Sequence, residues 1–463
     1  MHAPLRRRLG SAAAAAAAAD VTIVGAGIMG LNIAYQLRRR APDLKVTVLE
    51  RSKSLGVGSS GYSTGFQRAL YAVDETTRLA LDGMAAYKDW STYLRDDAAT
   101  AQFYETGALW MLGADPAENR AAQARLASFG VDADVLGADE LGARFPLLST
   151  EPTPEYDSEG DEVAFGGGEL SALYEYGCGH LDPAACLEDL LVACRREGVD
   201  VRLGVGATSF VTTPDGSEVT GVALDGGHPT VHTSSVINAA GPWFNKLNAT
   251  AGVTLSTTAV PIRVQVGHRH VPEEYLSLPF VGDGWGNPDV GGIYFMPRVA
   301  NKQLLFGSIA PRFEQEEVNP DDYNQSLDPD VRSEFLGEAP LPRARNHRSD
   351  NPTPAPPPPR QPDALYHRLP GLDTRADIVG FSSMYTINVD DAHPMVGETA
   401  VKGLYACNGF SGHGFKLAPA IGSLLAQSIT GIVTDQWETD IDPDFLSPYR
   451  EPIRSSAKTH LGM

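Results

Sequence analysis

One run constrains this chain more than any other. V-T-I-V at 21–24 leads directly into G-A-G-I-M-G at 25–30 and then into a helical pattern reaching about Arg40. A second apolar strand, K-V-T-V-L at 45–49, follows and ends at Glu50, so residues 21–50 read as a complete β-α-β unit. Glycines at this spacing permit a tight strand-to-helix turn, close approach to a pyrophosphate and close packing of helix on sheet. The helix start favours an anion. Gly25, Ala26, Gly27, Ile28 and Gly30 are therefore candidate cofactor contacts. Glu50 is positioned to accept hydrogen bonds from an adenosine ribose, with Arg51 beside it.

The unit predicts a bound dinucleotide without separating nicotinamide from flavin, because the two share an adenosine diphosphate half. Two other segments bear on that choice. G-V-G-S-S-G-Y-S-T-G-F at 56–66 supplies backbone and hydroxyl donors, Ser59 and Ser60 among them, for an extended cofactor. N-G-F-S-G-H-G-F-K at 408–416 opens an apolar helix with Pro419 in its first turns and Gly431 past its end. The positive start of that helix, at Gly412, His413, Gly414 and Phe415, suits the negative charge that reduced flavin develops on its N1–O2 edge. A nicotinamide ring makes no such demand, so FAD is the expected cofactor.

Elsewhere the pattern alternates between helix and sheet. Residues 78–150 read as helical. Leu181-Asp182-Pro183 starts a further helix, with Asp182 as N-cap and Gly198 past its end, and V-D-V-R-L at 199–203 returns to the first sheet. T-A-V-P-I-R-V-Q-V (258–266) and Q-L-L-F-G-S-I (303–309) suit an antiparallel substrate sheet. The proline-rich stretch at 340–362 reads as an extended surface insertion. The expected fold is α/β, mixed α+β: a Rossmann-like FAD-binding domain at 20–75, 160–250 and 380–435, interleaved with a substrate domain at 76–159 and 251–379. A leader occupies 1–19 and a tail 436–463.

Composition narrows the partners. A chain of 463 residues, 42% hydrophobic, is large enough for two domains. Its net charge of -21 argues against nucleic acid or an anionic membrane, both of which bind through clustered Lys and Arg. No apolar run approaches the roughly 18 residues of a membrane helix, so a soluble chain without a transmembrane segment is expected. Cys178, Cys186, Cys194 and Cys407 show neither a disulfide framework nor metal-type spacing, which points to a reducing compartment and to no metal. Arg6, Arg7 and Arg8 before eight alanines suit a mitochondrial or other organelle transit peptide; a flexible tail on a cytoplasmic protein is the alternative.

The end motifs, together with V-I-N-A-A-G-P-W at 236–243, resemble the D-amino-acid oxidase/glycine oxidase/sarcosine oxidase superfamily of FAD-dependent oxidoreductases, from about residue 20 to 432. The resemblance implies that Ala207 makes a backbone contact to adenine and that Ala240, Gly241 and Trp243 lie on another cofactor-facing turn. A carboxylate-bearing substrate also needs fixed cations beside the flavin. Arg68 follows the first loop and Lys416 closes G-H-G-F-K; a planar fork and a point charge together hold one carboxylate in a single orientation. In the sarcosine-oxidase branch both positions form such a clamp, and Tyr385 in S-M-Y-T-I-N-V-D-D matches an active-site tyrosine. The implied reaction is oxidation of a small amino acid or a secondary or N-methyl amine by hydride transfer to flavin N5, giving an imine that water hydrolyses. A hydroxy acid or polyol is a further alternative. His268, His270 and His393 read as structural or surface residues.

Two departures carry expectations of their own. The flavin-tethering cysteine of monomeric sarcosine oxidase is Ser383 here, and Tyr62 stands near the tethering histidine of dimethylglycine dehydrogenase-type relatives, so FAD is expected to be noncovalent. The lysine that activates oxygen in sarcosine oxidases corresponds to Leu304 or Leu305, with Lys302 in the preceding turn. That implies a quinone or an electron-carrier protein as acceptor, O2 being the alternative. L-D-P (181–183), V-I-N-A-A-G (236–241), Q-E-E-V-N-P-D (315–321) and G-F-S-G-H-G (409–414) also resemble the mitochondrial FAD-dependent oxidoreductase domain-containing protein 1 family, tied to respiratory complex I assembly. It implies a second reading, a non-catalytic or weakly catalytic FAD-bearing assembly factor. Those relatives lack the lysine of G-H-G-F-K, whereas Lys416 is present.

Overall fold

The computed structural model describes residues 19–454 apart from 114, 157–161, 164–167, 286–291, 310–315, 330, 333–363, 374–376 and 435. The leader up to residue 18 and all of the proline-rich insertion at 340–362 lie outside these residues. Two sheets organise the rest.

The nucleotide sheet has six strands in the order Asp200–Leu203, Val46–Glu50, Val21–Val24, Val236–Asn238, Leu404–Asn408 and Met395–Glu398. The first five run parallel and the last is antiparallel. Parallel strands are covered on both faces, and V-T-I-V is accordingly buried throughout. The helices Ile28–Arg40, Pro183–Arg196 and Gly414–Thr430 share a hydrophobic core on one face. A three-stranded antiparallel sheet, Ala207–Thr212, Val219–Leu224 and Val231–His232, packs on the other. The start of the helix Pro183–Arg196 is built as its sequence requires: the Asp182 carboxylate accepts the Ala184 and Ala185 amides at 2.9 and 3.0 Å, and Gly198 beyond its end has φ +83°.

The larger sheet has eight strands in the order Val379–Asn388, Ala259–His270, Gln303–Ser308, Ile293–Arg298, Phe280–Asp283, Ala108–Met111, Ala172–Glu175 and Ala133–Leu136. It departs from a purely antiparallel sheet at one pairing, because Phe280–Asp283 runs parallel to Ala108–Met111. The helical reading of 78–150 is corrected here. Helices Asp74–Lys88, Trp90–Leu94, Pro116–Ser128 and Ala138–Arg144 are interrupted by strands, including A-L-W-M at the heart of the large sheet. Four buried apolar residues between Gly107 and Gly113 carry no periodicity that separates strand from helix; pairing with Phe280–Asp283 and Ala172–Glu175 decides. Ala172–Glu175, inside a stretch expected in the nucleotide domain, likewise joins the large sheet.

Strand alternation gives the large sheet two faces. Trp110, Phe280, Met296, Leu305 and Val266 form one cluster, on the side of Phe66. Leu109, Val281, Phe295, Leu304 and Phe306 form another behind it. Leu305 and Leu304 therefore point to opposite sides, and Lys302 sits in the turn with φ +50°. Among the described residues no helix is long and apolar enough to cross a membrane.

Candidate active site

A cavity of about 450 Å³ opens where the glycine turn, the first loop, the large sheet and the start of the last helix converge. Of the residues proposed from sequence, Gly27, Ile28, Ser59, Ser60, Arg68, Gly241, Tyr385, Gly412, His413, Gly414, Phe415 and Lys416 line it.

The glycine turn is shaped by what side chains would hit. Gly25 has φ +107°, and a Cβ there would lie 2.4 Å from the Ala239 carbonyl oxygen; one on Gly30 would lie 1.9 Å from the Gly25 oxygen. Glu50 accepts the Ala26 amide at 3.0 Å and the Ser52 amide at 2.8 Å, and the Ser60 hydroxyl accepts the Ile28 amide at 3.0 Å. The loop and the ends of two strands thereby hold the turn open at the helix start. Arg51, Ala207, Ala240 and Trp243 are not part of the cavity lining. Arg51 stacks on the Trp243 ring at 3.9 Å, and both reach the Asp321 carboxylate, at 2.9 and 2.6 Å. Ala207 lies next to this group, since a Cβ on Gly206 would meet the Arg51 Cβ at 3.2 Å.

The far wall is a tightly wound loop. Gly409, Ser411 and Gly412 all have positive φ, and Ser411 is held there by its amide, which donates to the Thr386 carbonyl, and by its hydroxyl, which accepts the Asn388 amide. The last helix then begins at Gly414 without an acidic residue in its first turn. Pro419 removes the amide that would bond to the Phe415 carbonyl, and the Tyr87 hydroxyl donates to that carbonyl instead, at 2.7 Å. Gly83 allows the helix Asp74–Lys88 to approach this turn, because a Cβ there would be 2.2 Å from the Lys416 carbonyl oxygen.

The charged side chains that line the cavity are cations. Arg68 is buried, its guanidinium over the Tyr71 ring at 4.5 Å and the Trp110 ring at 5.2 Å. Lys416 lies 6.0 Å over the Phe66 ring; burial and the neighbouring Arg68 charge bring its pKa down to about 7. Burial, with the charges of Lys416 and Arg68, presses His413 well below its ordinary range, so it is neutral. Its Nε2 is buried without a hydrogen-bond partner. Among the described lining residues there is no Asp or Glu. The residues present fit a flavin dinucleotide: a cradle that a Cβ would fill at Gly25 and Gly30, two helix starts facing one cavity, and an orphaned polar atom at its wall.

Other residues of the site escaped sequence reasoning. Trp110, Phe280 and Tyr294 line the cavity from the large sheet, where no motif sets the register, and Phe66 stacks on Phe280 at 4.0 Å. Asn408 ties two walls together, accepting from the Thr386 hydroxyl at 2.7 Å and donating to the Gly241 carbonyl at 3.0 Å. The run N-G-F-S-G-H-G contained Asn408 but gave no sign of this role. Ser383 also lines the cavity, beside Cys407, whose thiol burial pushes well above its ordinary range. His393 is engaged locally, with Thr76 at 3.1 Å and the Asp391 carbonyl at 2.7 Å.

Comparison with known proteins agrees with this geometry. Residues 20–428 match the model of the DAO family, described as FAD dependent oxidoreductase. FAD-dependent oxidoreductase domain-containing protein 1 of Bos taurus is 25% identical over 89% of this chain and 81% of its own length. Peroxisomal sarcosine oxidase of Homo sapiens is 26% identical over 96% of this chain and 98% of its own. Among solved structures, L-proline dehydrogenase from P. horikoshii superposes with a TM-score of 0.70 at 20% identity, covering 93% of this chain and 97% of that one.

Proposed function

The chain belongs to the DAO family of FAD-dependent oxidoreductases, and from that premise we propose that it oxidises a carboxylate-bearing amine: a small amino acid or a secondary or N-methyl amino acid. The observation that carries this reading is the pair Arg68 and Lys416 on one cavity whose described lining holds no carboxylate. Bound FAD supplies the two-electron acceptor; the candidate residues to hold it are those of the glycine turn, Ser59, Ser60 and the loop entering the last helix.

The remaining work falls to the chain's own side chains. Arg68 and Lys416 hold the substrate carboxylate, the fork fixing its plane and the ammonium its distance. The same two positive charges disfavour an ammonium beside them, so the amine reacts in its neutral form and gives its proton to solvent on entry. No general base is then required. Tyr385 and the aromatic floor orient the substrate, and Leu305, in place of a lysine, supports a quinone or carrier protein rather than O2 as acceptor. Ser383, Tyr62 and a protonated Cys407 support noncovalent FAD. The leader supports an organelle location, mitochondrial in the first place.

The test is an anaerobic screen of the FAD-loaded protein, following bleaching of the visible flavin band with sarcosine, dimethylglycine, proline, pipecolate, glycine, D-alanine and 2-hydroxy acids. Bleaching by one class of amine, lost in Lys416→Ala with FAD still bound, is the expected result. Bleaching by 2-hydroxy acids alone would replace the amine with an alcohol. A fully loaded flavin inert to all of them would favour the assembly-factor reading.

A further inference from the structure

We propose that Glu175 is a positioning residue for the arginine of the carboxylate clamp. It ends the strand Ala172–Glu175 and is fully buried. One carboxylate oxygen accepts the Ala69 amide at 2.6 Å and the Leu70 amide at 3.1 Å; the other accepts the Trp110 indole N–H at 3.0 Å. Ala69 and Leu70 are the two residues after Arg68, and Trp110 is one of the two rings over which its guanidinium lies. A single side chain thus anchors both the backbone from which Arg68 springs and a ring against which its head rests.

The buried Cys178 side chain is a further partner, and the chemistry of these partners selects the side chain. The two amides and the indole all donate, and a carboxylate of this reach has two acceptor oxygens to meet them. Glutamine has one acceptor oxygen and an amide that would face a donor; aspartate is a methylene too short. A buried carboxylate is expensive, and an apolar residue would fill the same space at less cost if packing were its only task. The Arg68 charge nearby offsets part of that cost. Trp110 has little freedom to follow a loosened partner, because its ring lies on Gly282, where a Cβ would come within 3.1 Å.

The proposal rests on Arg68 binding a carboxylate, and the experiment separates the two. Benzoate, a carboxylate without an amine, is titrated into FAD-loaded wild type, Arg68→Ala, Glu175→Gln, Trp110→Phe and the Glu175→Gln/Trp110→Phe double variant, following perturbation of the flavin spectrum. Glu175→Gln is expected to raise the benzoate Kd about tenfold, equivalent to about one lost hydrogen bond, with FAD content unchanged. Trp110→Phe should raise it about threefold. The double variant should be no weaker than Glu175→Gln alone, because the indole bond is already gone. Benzoate affinity that stays within about twofold of wild type in both single variants, while Arg68→Ala weakens it, would overturn the positioning role. Should Glu175→Gln fail to hold FAD, an unchanged Kd in Trp110→Phe would do the same. An Arg68→Ala variant that binds benzoate normally would instead remove the clamp itself, and the proposal with it.

Discussion

At the scale of single residues, the cavity's character comes from two cations that line it without a carboxylate in the described lining. Lys416 has the property that can be measured from outside. Burial and Arg68 set its pKa near 7, so it is charged below that value and neutral above it. Only the charged form attracts a carboxylate. Benzoate should therefore bind most tightly on the acid side and weaken as pH rises from about 6 to 9, by up to about tenfold per unit where one proton is linked. The bound anion itself raises the Lys416 pKa, so the loss begins near the free value and continues up to the raised one. In Lys416→Ala, benzoate binding should be weak and flat across the same range. Arg68 and Lys416 were legible because each adjoins a glycine-rich run. Glu175 and Trp110 were not: each is one residue in an unremarkable apolar strand, given its meaning by a hydrogen bond across 65 residues of chain.

At the scale of elements, the start of the last helix is the most finely supported part of the site. Pro419 leaves the Phe415 carbonyl without its helical partner, and Tyr87, fully buried, donates to it from a neighbouring helix. Tyr87→Phe keeps the ring stacking on Phe415 and removes only the hydroxyl. It should cost about 1–3 kcal/mol, the penalty of an unsatisfied buried carbonyl, seen as a lower urea midpoint at unchanged slope. Weaker benzoate binding should accompany it, since Lys416 is the next residue. The β-α-β unit needed little such context to be read, because Gly30 answers to a contact within the turn itself, with Gly25 five residues away, although Gly25 is also pressed by the distant Ala239 carbonyl. The strand Ala108–Met111 did need it, since its neighbours in the sheet come from residues 172–175 and 280–283.

At the scale of the whole molecule, the C-terminal segment closes the nucleotide side. Glu438 accepts from Arg40, Ser423, Gln427 and Thr434, tying the first and last helices to the segment after Gly431. The Arg40 side chain is fully buried and Glu438 is partly buried. Ile441 and Leu446 enter the same core. Glu438→Ala would leave Arg40 buried without its counter-charge, and should destabilise the protein by about 3 kcal/mol in urea unfolding. Saturating FAD should recover part of that loss, by about 2.7 kcal/mol at a hundredfold excess over its Kd.

What the sequence determined by itself was everything whose cause is local. The close approach of Gly30 to Gly25 in the first turn, a helix start without acids, caps at Asp182 and Gly198, and cations next to glycine runs all depend on neighbours a few residues away. Those features were enough to indicate FAD, the two-sheet architecture and the two cations that line the cavity. Tertiary structure alone decided the register of the large sheet, which turns Leu305 toward the cavity side and Leu304 away. It also decided which aromatics floor the cavity, which hydroxyl satisfies the carbonyl freed by Pro419, and which buried carboxylate stands behind Arg68. Those contacts join residues tens to hundreds of positions apart, and a strand's side chains exchange faces when its pairing slips by one residue, so no local pattern could specify them.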